Sequence, residues 1–318
     1  MNEREVVLGI DTSNYTTSVA ILGFDGELIA NVKRILPVEA GKCGLRQSDA
    51  LFAHTKALPE LVSEASTYLA GSRVIAIGVS TRPRNVEGSY MPVFLAGASV
   101  AKSLASVMGV PLYEFSHQCG HVMAALYSAG RLELLGREFA AIHASGGTTE
   151  ILRVRGSGNG FSAELVGGTL DLNAGQVIDR IGVMLGMPFP SGKYLEAEAL
   201  RFEGKLKCRP KITGAPMHIN LSGLENMAAK LWRDGADVPE VAAFVFNFIG
   251  RAISKMISDY FSIYGETTVV CAGGVMCNSI IKKMLAEKFD VCFAEPMMSA
   301  DNAVGTAALA LEAYKIEA

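Results

Sequence analysis

The sequence predicts an α/β protein of two lobes, each a mixed sheet flanked by helices, with the second lobe repeating the plan of the first. Three features of the 318 residues lead there. Short runs rich in Val and Ile alternate with stretches of helical periodicity, the pattern of strands and helices in turn. The order of three strands followed by alternating helix and strand runs once to about residue 136 and restarts at Phe139. Each half also opens on a strand, a polar bend and a second strand, "LGIDTSNYTTSVAIL" in the first and "AIHASGGTTEILRV" in the second. The length suits two medium domains, expected at 1–136 and 137–318.

In the first half, "REVVLGI" and "VAIL" are strands around "DTSNYTTS", and "GELIANVKR" is a third after the turn "FDG". "SDALFAHTKALPELVSEA" is helical, with Ser48 as the expected cap. "RVIAIGVS" is a buried strand, "PVFLAGASVAKSLASVMG" a helix stopped by Gly109, "VPLYEF" a strand and "CGHVMAALYSA" a helix. In the second half, "FAAIHAS", "EILRV" and "FSAELVGG" are strands, and "AGQVIDRIGVMLG" and "SGKYLEAEALRF" are helices. "DVPEVAAFVFNFIGRAISKMISDYF" is a long helix with an Asp237/Glu240 capping box and Pro239 in its first turn. "TTVVCAGG", "VMCNSIIKKMLAEK", "DVCFAE" and "ADNAVGTAALALEAYK" then read as strand, helix, strand and helix. This duplicated plan resembles the actin/Hsp70/sugar-kinase-like two-lobe fold, and by that analogy nucleotide is expected in the interlobe cleft.

Half the residues are apolar and 19% are charged, which suits a packed globule. A net charge of −3 gives no overall basic character and argues against a free-standing DNA binder. The N-terminus lacks the apolar segment of a signal peptide, and no uninterrupted apolar run reaches the roughly 18 residues of a membrane span. The expectation is a cytoplasmic protein without a membrane partner. The six cysteines (43, 119, 208, 271, 277 and 292) form no CxxC pair and read as small buried hydrophobes in a reducing compartment. Cys119 stands out only because it lies between two histidines.

Several segments have the residue types of a site. In "HASGGTT", Gly146 and Gly147 permit φ > 0 and close backbone approach to an anion, and Ser145, Thr148 and Thr149 add hydroxyls. A tight hairpin would use two glycines as well, but a similar polar bend at the matching place in the first half favours a phosphate-binding turn. "VVCAGGVMCN" ends a strand on Gly273 and Gly274 and opens a helix, with Asn278 expected one turn in; ordinary strand–helix packing reads the same way. Asp179 lies on a mostly apolar helix, where it would bind a ligand, pair with Arg180 or face solvent. Gly192, in "PFPSGK", and Glu196 one turn later are placed for a flat ligand and a ribose hydroxyl. His117 and His121, four apart on a helix, share a face and can bind one metal or be two ordinary helix histidines. Gln118 stands where a zinc peptidase needs its glutamate base, so the peptidase reading falls. Asp301, at the cap of the last helix and expected across the cleft, is the candidate third ligand.

Taken together, these segments resemble one family across nearly the whole chain, the universal tRNA threonylcarbamoyltransferases, formerly labelled O-sialoglycoprotein endopeptidases or glycoproteases. The resemblance rests on Gly9–Ile21, His117 and His121, Ser145–Thr149, Ala174–Asp179, Pro190–Gly192, Gly273–Asn278 and Asp301–Asn302, in that order and spacing. It implies an acyltransferase that moves threonylcarbamoyl from threonylcarbamoyl-adenylate, made by a separate enzyme, to the exocyclic amine of the adenosine following the tRNA anticodon. It implies one metal ion, iron ahead of zinc, on the catalytic residues His117, His121 and Asp301. It implies an adenylate held by Ala144, Ser145, Gly146, Gly147, Thr148, Asp179, Gly192, Glu196, Gly274 and Asn278. The implied partners are tRNA and either a related actin-fold subunit or a second copy.

The chain also departs from the family pattern. Thr148 replaces a His or Asn, Asn14–Thr17 an acidic "CDET", and Arg82–Gly88 ("RPRNVEG") a "GPGLxG" turn. Leu172 replaces a frequent second aspartate and Ser191 the first glycine of "PGG". The metal and nucleotide positions stand while the first bend and the acceptor side change. That pattern leaves two alternatives, a divergent acyl-adenylate-dependent transferase with another acceptor and a non-catalytic nucleotide-binding partner subunit.

Overall fold

The computed structural model describes residues 3–13, 15–37, 45–157, 160–206, 208–299 and 303–318. By its contacts the chain divides into unit 1, made of Met1–Arg137, Arg155–Ala163 and Ala300–Ala318, and unit 2, made of Glu138–Val154 and Glu164–Ser299.

In unit 1, β1 (Arg4–Ser13), β2 (Thr16–Gly23) and β3 (Leu28–Ile35) form an antiparallel meander. After α1 (Gln47–Ser66), β4 (Ser72–Arg82) pairs parallel with β1. After α2 (Phe94–Met108), which Gly109 ends at φ 68°, β5 (Leu112–Ser116) pairs parallel with β4, and α3 (His117–Ser128) follows at once. The sheet order is β3-β2-β1-β4-β5. Strand periodicity sends Val6, Leu8 and Ile10 into one core with Leu58 and Leu61 of α1 and Ala101 and Ala105 of α2.

In unit 2, β6 (Phe139–Ala144) pairs antiparallel with β7 (Thr149–Ser157), and β8 (Gly160–Thr169) lies beside β7. Then come α4 (Ala174–Met184), α5 (Gly192–Ala199), β9 (His218–Ile219), α6 (Ser222–Arg233) and α7 (Val238–Tyr264). β10 (Val269–Ala272), α8 (Ser279–Ala286), β11 (Val291–Phe293) and α9 (Pro296–Ser299) complete unit 2, and α10 (Val304–Glu317), which belongs to unit 1, follows. The sheet runs β11-β10-β6-β7-β8-β9, with β10 parallel to both β6 and β11. Apart from β9 this is the strand order of unit 1, so the duplication read in the sequence is present in the sheets.

α7 opens as expected, with the Asp237 carboxylate accepting the Glu240 N–H at 2.8 Å. Among the described residues it is the one helix long and apolar enough to cross a membrane. Its Phe246, Ile249, Ile253 and Ile257 are buried in the core of unit 2.

Four local features differ from expectation. α1 begins at Gln47 after Arg46 in extended conformation, and Ser48, inside the helix, bonds Asp49 instead of capping. Between β10 and α8 the chain makes a 3-10 turn, Gly274–Cys277, so Asn278 caps α8 from outside; its Oδ1 accepts the Ile281 N–H at 3.0 Å. β9 and α6 were not foreseen. The cap of α6 is Asp171, remote in sequence, which accepts from Leu221 N–H, Ser222 N–H and Ser222 Oγ. Burial alone would raise the Asp171 carboxyl, but these bonds outweigh it and hold the group below its ordinary value. Finally, α10 packs in unit 1, whereas a single cut after residue 136 would give it to the second half. The face of the sheet opposite Val6, Leu8 and Ile10 requires it: Val7 and Ala76 pack on Ala310, Leu311 and Ala313. Gly9 and Gly78 let it come close, since a Cβ on either would lie 2.5 Å from the carbonyl oxygen of Ala303 or Thr306.

Candidate functional site

In unit 1 the histidine pair is set by a short β5–α3 junction. Ser116 caps α3 through its Oγ, which accepts the Cys119 N–H at 3.2 Å, so His117 is the first helical residue and His121 follows one turn later on the same face. Their Nε2 atoms are 2.9 Å apart and the rings meet edge to face, 4.4 Å between centroids. The other side of His117 is engaged as well, its Nδ1 lying 3.0 Å from Oδ1 of Asp11, a fully buried carboxylate near the end of β1. The Phe94 ring lies 6.0 Å from that of His117.

With Nδ1 of His117 committed, two imidazole Nε2 atoms face one point, a donor set that fits an iron- or zinc-type ion. Among the described residues no three His, Cys, Asp or Glu side chains converge, and Asp301, the expected third ligand, lies outside them. The helix that follows Asp301 reaches the same place. α10 crosses α3 where Gly305 meets Gly120, a Cβ on Gly305 overlapping the Gly120 carbonyl.

The altered loop is tied to this helix. Pro83 O accepts the Gln118 N–H at 3.0 Å, Asn85 Nδ2 donates to Cys119 Sγ at 3.1 Å, and Arg82 donates to Asn85 Oδ1 at 3.1 Å. Burial pushes the Cys119 thiol up, with Ser116, Arg82 and Asn85 opposing, which makes it a packed thiol rather than a nucleophile.

In unit 2 the expected nucleotide residues lie along a closed circuit of contacts. The β6–β7 turn is fastened to the start of α4: Gly175 N–H donates to Ser145 O at 3.1 Å, and Ala174 N–H to Thr149 Oγ1 at 2.8 Å. A Cβ on Gly175 would lie 2.7 Å from Gly146 N. α4 is fastened to α5 by Asp179, which accepts the Ser191 N–H at 2.7 Å; Ser191 Oγ also donates to Pro188 O at 3.0 Å. Half-burial raises the Asp179 carboxyl and that N–H partly offsets the rise. Arg180, the alternative partner, pairs with Glu225. α5 is fastened to α8 by Glu196, whose Oε1 accepts from Ser279 N–H at 2.7 Å and Ser279 Oγ at 2.6 Å. β10 closes the circuit at Gly273 (φ 94°), where a Cβ would overlap the Ala144 carbonyl.

Four glycines on this circuit have no conformational or packing reason to be glycine. Gly146, Gly147 and Gly274 have nothing within 4 Å of a Cβ position, Gly192 has only Ile178 at 3.9 Å, and none has positive φ. The turn is a tight hairpin, β6 and β7 pairing up to Ala144 and Thr149, but its glycines lack the φ > 0 of a primed turn and face open space. Asn278 is buried, and its Nδ2 has no hydrogen-bond partner among the described residues. Ser191 sits at φ −86°, where glycine is not required, which accounts for that departure. In the first half, Thr12, Ser13, Thr16 and Thr17, which flank the bend, are all buried.

Asp11, although inside the Gly9–Ile21 motif, and Ser279 have no role assigned from the sequence. The signal for Asp11 was a carboxylate at the end of the apolar run "VVLGID"; Ser279 gave none, because its partner is remote in sequence.

A family model described as TsaD, tRNA N6-adenosine threonylcarbamoyltransferase, matches residues 41–308. The tRNA N6-adenosine threonylcarbamoyltransferase of Rickettsia bellii (strain OSU 85-389) is 26% identical, over 97% of this chain and 93% of its own. The structure of HypF from T. kodakarensis superposes at a TM-score of 0.62 with 14% identity, over 98% of this chain and 48% of HypF. A ROK family glucokinase from Streptomyces griseus, in complex with glucose and AMPPNP, gives 0.53 with 13% identity, over 96% and 99%. At such identities the structures speak for the fold alone, and it is the duplicated actin/Hsp70/sugar-kinase-like α/β fold that the sequence predicts.

Proposed function

We propose, from the premise that the chain belongs to the tRNA N6-adenosine threonylcarbamoyltransferase family, that it transfers threonylcarbamoyl from threonylcarbamoyl-adenylate to the exocyclic amine of the adenosine following a tRNA anticodon. It is an acyl-type transferase and not a peptidase. In the proposed step the amine nitrogen bonds to the carbamoyl carbon, the bond from that carbon to the phosphate oxygen breaks, AMP leaves with the electron pair, and the amine proton passes to water. The donor is held in unit 2. With no Cβ at Gly146, Gly147, Gly192 or Gly274, the adenylate can lie against backbone, beside the Ala144–Thr148 turn. Asn278 offers its unpartnered amide donor, and Asp179 and Glu196 offer carboxylates to ribose hydroxyls.

His117 and His121, with Asp301, are the proposed holders of an iron or zinc ion, which when bound supplies Lewis acidity towards the carbamoyl and phosphate oxygens. The observation that carries the reading is the pair of facing Nε2 atoms, 2.9 Å apart on one helix face, with a glutamine where a peptidase needs its base. The reading places the protein in the cytoplasm, with a related actin-fold subunit or a second copy as partner.

The test supplies the protein with unmodified tRNA, labelled threonine, bicarbonate, ATP and an enzyme that makes the adenylate. Label is expected in tRNA, and His117→Ala is expected to lose both label and metal. Metal-loaded protein that releases no label to tRNA would overturn the acceptor. A second reading, the same chemistry on another amine, is favoured by one observation: Arg82 and Asn85 of the altered loop are drawn onto α3 beside the histidines. AMP release with a non-tRNA amine would support it. A non-catalytic subunit is disfavoured because it would have no use for the histidine pair.

A further inference from the structure

The carboxylate behind His117 supports one more step. The two nitrogens of an imidazole lie on opposite sides of the ring, so Oδ1 of Asp11, at Nδ1, is on the far side from His121 and cannot share an ion with Nε2. An ionised carboxylate only accepts, and opposite one the proton belongs on Nδ1, with the lone pair of Nε2 left free to face His121. The surroundings leave Asp11 little freedom. It is fully buried, and its carbonyl accepts Ser18 Oγ of β2 at 3.2 Å. The next residue, Thr12, ties β1 to α2 by donating to Val93 O at 2.9 Å and accepting the Gly97 N–H at 3.2 Å. α2 in turn supplies Phe94 beside the His117 ring.

We propose that Asp11 is a positioning residue: it locks His117 in the Nδ1–H tautomer and raises the basicity of its Nε2, so that this nitrogen and that of His121 bind the metal together. A buried carboxylate at the end of an apolar strand is costly without such a partner. The inference rests on the metal reading given under Proposed function.

Two measurements on the full chain test it. The first is titration of the metal-stripped protein with Co2+ against a chromophoric chelator, for the unaltered protein, Asp11→Asn and Asp11→Ala, each checked for fold by circular dichroism. The second is 15N NMR of the metal-free unaltered protein, which reports the tautomer of His117. The expected results are an Nδ1–H His117 and Co2+ binding weakened about 10- to 100-fold in Asp11→Asn, with Asp11→Ala at least as weak. An Nε2–H His117, or an Asn variant with unchanged Co2+ affinity, overturns the role of Asp11 and leaves the metal site standing. An unaltered protein that binds no Co2+ overturns the metal reading and this inference together. Should both variants fail to fold, the tautomer in the unaltered protein still decides.

Discussion

The two units have a polar bend at the same place in the same sheet order and use it in opposite ways. In unit 1, Asp11, Thr12, Thr17 and Ser18 are buried and bonded inward, to His117, α2, His54 and β1 respectively. In unit 2, Ser145–Thr148 reach the surface, their hydrogen bonds among the described residues stay local apart from the Gly175 N–H on the Ser145 carbonyl, and the two glycines face open space. One bend braces a helix from inside and the other leaves room outside. Duplicated topology therefore did not duplicate chemistry. A bend whose polar atoms are consumed by the protein should be sensitive in stability, and an open bend should be sensitive in binding.

The largest expected effect tests the brace at its far end. Gly305→Ala drives a Cβ into the Gly120 carbonyl and should cost about 3 kcal/mol, as overpacking of a tight helix crossing does. Urea denaturation would measure it, and a loss near zero would mean that α10 is free to shift. Next, Thr12→Val removes two buried hydrogen bonds and should cost about 2 kcal/mol, whereas Thr148→Val on the open bend should stay within about 0.5 kcal/mol. Equal costs in the same denaturation assay would erase the contrast between the bends. Gly147→Ala should leave stability within about 0.5 kcal/mol and weaken AMP binding about tenfold by calorimetry, close to 1.4 kcal/mol. Unchanged AMP affinity would show that the open space is not ligand space.

The smallest effect is a pH dependence. Burial raises the Asp179 carboxyl above its ordinary value, so the native state favours its protonated form. The stability this contributes is complete below the unfolded value and is lost as pH rises through the folded one. Asp179→Asn should therefore gain on the parent in melting temperature as pH rises above about 4, the ordinary aspartate value. A gap that does not change with pH would mean that the Ser191 N–H offsets burial fully.

Much of this was legible in the sequence because the signals are local. Strand alternation, the Gly109 stop, the Asp237 cap and the two-histidine helix face each depend on residues a few positions apart. The misses are of the other kind. The partner of Asp11 is on α3, Glu196 holds Ser279, and Asp171 caps α6 across 50 residues. The residues flanking the first bend misled because hydroxyls that would bind a phosphate on a surface look the same in sequence as hydroxyls that bind backbone in a core.

α10 also sets an order of assembly. On the ribosome β1 emerges before unit 2, yet the helix that covers Val7 and Ala76 emerges after the whole of it. Unit 1 is begun first and finished last. Until Val304–Glu317 is made, the nascent chain carries an uncovered apolar sheet face, a surface that chaperones recognise. A premature stop anywhere in unit 2 would leave the histidine helix without the α10 packing at Gly120.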